Sequence, residues 1–191
     1  MKWVLLLMIV GLMPMSVGCL AVDSLEMHIE YQGEDKPANV TIVYRDITSV
    51  EESIEAVKKD FESLIKDFEG DEYLLDRSEE GFFIKKRELF IEEGKIVARS
   101  HGIVKDLDEV HSIWVKNGEL ILLFEEDEDF VLVESNGEVF KTPKNTLIVW
   151  PENSTKLYFK QRVRERCEPC EKNRPLMVKM LEGYLEQKKH K

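Results

Sequence analysis

The sequence predicts an α+β fold: an antiparallel β meander, open or curled toward a partial barrel, with one packed amphipathic helix and a C-terminal helix. Three observations predict it. Apolar and polar residues alternate near the start of the body, where Leu25, Met27, Ile29 and Tyr31 are separated by Glu26, His28 and Glu30. Short apolar runs are joined at Glu93-Gly94, Asn117-Gly118 and Asn136-Gly137, dipeptides suited to tight hairpins. Between these regions, Val50, Ile54, Val57, Phe61, Leu64, Ile65 and Phe68 recur at helical spacing.

The alternating stretch through Tyr31 is the first strand, and Asn39–Ile47 the second, after a turn at Gly33–Pro37. Ser49-Val50-Glu51-Glu52 reads as a capping box, the Ser hydroxyl accepting an amide hydrogen bond and Glu52 reaching back, so the helix is expected to begin there and stop at Gly70. From Tyr73 to Phe159 the chain reads as strands alone, at Gly81–Ile91, Lys95–Val104, His111–Lys116, Glu119–Glu125, Phe130–Glu134, Glu138–Lys141, Thr146–Trp150 and Lys156–Lys160. Consecutive hairpins make an antiparallel meander. Leu176, Met177, Met180, Leu181, Tyr184 and Leu185 follow Pro175 and predict a last helix just after Cys170.

The chain has 191 residues, 43% of them hydrophobic, enough for one core once the leader is set aside. Its net charge of −11 argues against a nucleic-acid partner, since phosphates would be repelled by most of the surface. The charge is uneven. Residues 23–159 hold 16 basic and 33 acidic residues, residues 160–191 hold 10 and 5, and this divides an acidic body (19–160) from a basic tail (161–191). Abundant Glu and Lys with only three Gln, at 32, 161 and 187, fit selection at high temperature.

Lys2 precedes Trp3–Val22, twenty positions without a charge, and Asp23 then opens a strongly charged chain. Residues 1–18 are therefore an export signal or an anchor rather than part of the fold. Met15-Ser16-Val17-Gly18-Cys19 resembles the lipobox of prokaryotic lipoproteins, with Gly18 before the cleaved bond and Cys19 after it, and with Ser16 where that family usually has Leu. The resemblance implies a thioether-linked diacylglycerol on Cys19, a new N-terminal amine open to a further acyl chain such as palmitate, and attachment to the outer face of the cell membrane. Cleavage without lipidation, and a retained helix of about 20 apolar residues, are the two alternatives. All three export the body.

Cys167-Glu168-Pro169-Cys170 holds the other two cysteines. An exported CxxC is oxidised at rest. With four residues, Pro175 and a helix after it, the segment resembles the active-site stretch of thioredoxin-like thiol oxidoreductases. The resemblance implies Cys167 as attacking and Cys170 as resolving thiol. Arg166 stands where that family has tryptophan, and too little chain follows Cys170 for a thioredoxin fold. From the residues alone, three roles stay open: a local disulfide, redox exchange favoured by Arg162, Arg164, Arg166, Lys172 and Arg174, and half a zinc site. A four-residue loop stabilises by only about 2 kcal/mol through chain entropy.

His28, His101, His111 and His190 show no ligand spacing, and Glu125–Asp129 reads as a solvated hairpin tip rather than a calcium loop. Asn39-Val40-Thr41 and Asn153-Ser154-Thr155 match the glycosylation sequon. Gln161–Arg166 and Lys188–Lys191 are candidates for contact with anionic headgroups. No nucleophile elbow, phosphate loop or zincin motif is present, and no cofactor or metal is expected. The expectation is a membrane-anchored binding or accessory protein of the cell envelope, with a thiol exchange partner or a structural interaction module as the alternatives.

Overall fold

The computed structural model describes residues 20–31, 36–105, 107, 113–124, 130–142, 145–163 and 168–190. In chain order the elements are β1 (Leu20–Glu30), β2 (Ala38–Ser49), α1 (Ile54–Glu69), α2 (Asp71–Glu79), β3 (Phe82–Glu92), β4 (Lys95–Val104), β5 (Ile113–Lys116), β6 (Glu119–Phe124), β7 (Phe130–Ser135), β8 (Glu138–Lys141), β9 (Thr146–Pro151), β10 (Lys156–Val163) and α3 (Glu168–Lys189). The fold is α+β and its strands pair antiparallel, as expected. They form two sheets, neither closed into a barrel: a six-stranded one in the order β3-β4-β2-β1-β10-β7 and a four-stranded one in the order β5-β6-β9-β8.

One face of the large sheet carries Leu25, Met27 and Ile29 of β1 beside Tyr44, Ile42 and Val40 of β2. These join one buried cluster with Phe61, Leu64 and Phe68 of α1, Met177 and Leu181 of α3, and Leu120, Ile148 and Trp150 of the small sheet. α3 packs on β2, β3, β4 and α1. Met177 and Leu181 of α3 thus belong to the core, and β10 runs straight through the charge boundary at residue 160 to Val163.

Three further expectations are corrected. Ser49 does not cap α1. It is the last residue of β2, fully buried, and its hydroxyl donates to Asp60, while Ser53 is the N-cap and accepts from the Ala56 amide at 3.2 Å. The stretch from Tyr73, expected to hold strands and turns only, opens instead with a helix, α2. Gly70 separates the two helices because a side chain there would meet the Lys66 carbonyl at 2.5 Å. Asn136-Gly137 is not a hairpin: β7 pairs with β10 and β8 with β9, so the dipeptide carries the chain from one sheet to the other. Glu93-Gly94 and Asn117-Gly118 do have positive φ at both residues and close true hairpins.

Candidate functional site

Cys19 and Cys167 lie outside the described residues, but their neighbours define a corner of the molecule. Leu20, next to Cys19 in the chain, pairs with Ser49 at the end of β2. On the same strand end, the Thr48 hydroxyl donates to the Cys170 carbonyl at 3.3 Å. Asn173, one turn along α3, donates to the Ser49 carbonyl at 3.0 Å and the Glu51 carbonyl at 2.7 Å. The start of β1, the end of β2 and the start of α3 therefore meet at one latch.

Cys170 is buried and disulfide-bonded. With three cysteines in the chain, its partner is Cys19 or Cys167. Of the basic residues expected to favour a thiolate here, Arg174 is engaged elsewhere: its guanidinium holds Asp46 through bonds of 2.7 and 2.9 Å. Asp46 is 4% exposed and sits at φ +58°, a left-handed conformation tolerated by Asp and fixed here by Arg174. The first turn of α3 also carries Glu168 and Glu171, which oppose a thiolate.

The second face of the large sheet is polar. Its register sets Lys160, Glu26, Val43, Arg99 and Glu88 in one row across five strands, and Tyr158, His28, Thr41, His101 and Lys86 in the next. Glu26 is nearly buried between Arg45, whose Nε donates to Oε1 at 2.7 Å, and Lys160 at 3.0 Å. Burial pushes its carboxyl up, yet the hydrogen bonds from Arg45 and Lys160 prevail and hold it below its ordinary value. Arg45 also binds Glu92. Burial, with Glu26 and Glu134 nearby, pushes the Tyr158 phenol up to about 12, so it stays protonated and donates to Glu134. The face is a lattice of compensated charges.

Sequence spacing did not reveal that His28 and His101 share a row. They flank Thr41, whose hydroxyl lies 3.0 Å from His101 Nδ1. Two strand spacings, about 10 Å, separate them, too far for one metal ion. Among the described residues no group of three or more His, Cys, Asp and Glu is arranged to hold a metal. His111 and the Glu125–Asp129 run lie outside the described residues.

The small sheet supplies a surface of another kind. Leu120, Ile148 and Trp150 face the core, so the alternate positions face outward: Trp114, Ile121 and Val149 in one row, Leu123, Leu147 and Phe140 in the next. Trp114 and Phe140 are 43% and 45% exposed. Ile121, Leu123, Leu147 and Val149 are half-buried, so the face is apolar throughout and most open, among the described residues, at its two aromatic ends. The run Leu120–Phe124 carries one strand's share of the signal, since continuous apolarity marks a strand with two apolar faces, but the face itself needs the register of four strands.

At the junction of the sheets, an open cleft of about 390 Å³ is lined by Asn117, Glu119, Asn136, Glu138, Trp150 and Lys156, among others. Asn136 accepts from Trp150 Nε1 at 2.7 Å and from the Tyr158 amide at 2.8 Å, and donates to the Lys156 carbonyl at 2.9 Å. Its side chain is structural.

No family model, no curated protein and no solved structure matches this chain.

Proposed function

We propose that this chain is a lipoprotein of the cell envelope, anchored outside the cytoplasm through Cys19, which binds a protein partner through the outer face of its small sheet. The observation that supports the binding role is the apolar outer face formed by Trp114, Ile121, Leu123, Leu147, Val149 and Phe140, of which Trp114 and Phe140 are exposed among the described residues. The anchoring role rests on the leader and on the lipobox resemblance at Cys19. Among the described residues no helix is long and apolar enough to cross a membrane.

The test is the intact mass of the membrane-extracted protein beside a Cys19→Ala variant. Loss of residues 1–18 with added acyl mass, absent in the variant, supports the anchor, whereas an unmodified full-length mass defeats it. For the binding role, Trp114→Gln with Phe140→Gln should leave the melting transition unchanged and abolish crosslinking to envelope proteins in cells. Crosslinks that survive the pair defeat it.

A second reading, thiol-disulfide exchange through Cys167 and Cys170, is favoured by the oxidised state of Cys170 at the start of α3. A reduction potential below about −300 mV marks a structural bond and removes this reading.

A further inference from the structure

The lipoprotein reading has a geometric consequence at the corner where β1 begins. Leu20 is already paired with Ser49, so no free linker separates the sheet from residue 19. Neighbouring Cα atoms are about 4 Å apart, and a thioether to glycerol adds about 5 Å. The headgroup layer of each leaflet is only about 5 to 7 Å thick. Whatever surrounds Leu20 must therefore stand at the membrane surface.

The corner also contains an apolar residue that the fold leaves uncovered. Ile54 belongs by spacing to the stripe that buries Val57, Phe61, Leu64 and Phe68, yet it is 57% exposed as the first residue of α1. It follows the β2–α1 connection, which Asn173 latches to α3 through the Ser49 and Glu51 carbonyls. This connection cannot swing away from the start of β1 without losing those bonds. Glu52 and Glu55, both exposed, flank Ile54 and suit a zwitterionic surface better than an anionic one.

We infer that the start of β1, the β2–α1 connection and the first turn of α1 form a bilayer-contacting surface, with Ile54 set into zwitterionic headgroups. This rests on Cys19 being lipidated. Its residues are distinct from those of the small sheet's apolar face.

The experiment places an Ile54→Trp variant of the full, membrane-extracted protein in phosphatidylcholine vesicles whose acyl chains carry bromine near the glycerol. Emission of the added Trp, taken as the difference from the parent protein with Trp114 and Trp150 alone, should fall at least about twofold relative to unbrominated vesicles, as for a ring seated at the interface. A flexible Gly/Ser insert of about ten residues between Cys19 and Leu20, spanning about 17 Å, should restore it. Acyl mass with unquenched emission overturns this inference alone, as does quenching that the insert leaves unchanged. A mass without acyl chains overturns the lipoprotein reading and this inference together.

Discussion

Glu26 shows how single residues hold the polar face together. Because the Arg45 and Lys160 hydrogen bonds keep its carboxyl below the ordinary value of 4.5, its contribution to stability is full above that pH and disappears as pH falls through the lower folded value. Glu26→Gln should cost about 2 kcal/mol in urea unfolding at pH 7, and the difference from the parent should close toward pH 3. Asn136 is the second such residue. Asn136→Ala removes three hydrogen bonds, one of them from the Trp150 indole, whose ring is buried. The expected cost is about 3 kcal/mol, measured by the same method. A structural role predicts that Asn136→Ala loses stability however the chain's partner behaves.

At the scale of elements, the start of α1 discriminates two helix caps. With Ser53 as N-cap, Ser53→Ala should lower stability by about 1 kcal/mol and Glu52→Gln should leave it unchanged. Ser49→Ala should cost about 2 kcal/mol, because it leaves the buried Asp60 carboxyl without its donor. Thermal melts of the three variants decide the matter, and a large effect at Glu52 would restore the capping box. The same comparison shows what was legible in the sequence. Glu93-Gly94 and Asn117-Gly118 could be read as hairpins since their backbone demand is local. Asn136-Gly137 has the same local signal, yet a side chain at Gly137 would meet Trp150 and Ile148 at about 2.6 Å, a constraint set by residues more than ten positions away. α2 escaped notice because nine residues with only Tyr73 and Arg77 buried make little periodic pattern. Of the candidate sites, Cys19 was visible from a contiguous motif, whereas the apolar outer face existed only once four strands had been set in register.

For the whole molecule, the charge boundary and the packing boundary differ. Met177 and Leu181 of α3 are fully buried, and β10 supplies the pairing partner of β1 through Arg162. A chain ending at residue 160 should therefore lose cooperative unfolding altogether, since two large core side chains at about 2 to 5 kcal/mol each approach the total stability of a domain. Circular dichroism during urea titration checks this, and a sharp transition in the truncated chain would make the tail an appendage after all. The proposed lipidation of Cys19 requires a Cys167–Cys170 peptide on non-reducing digestion, and a peptide joining Cys19 to Cys170 would defeat it. The pairing of β1 with β10 also bears on the order of events during synthesis. The first strand of the body completes its place in the sheet only with nearly the last, about 130 residues later, so loop closure delays the central pairing until almost the whole chain is present. A polypeptide wired in this way stays unlocked until its last strand has been made, and then closes its largest sheet in one late step.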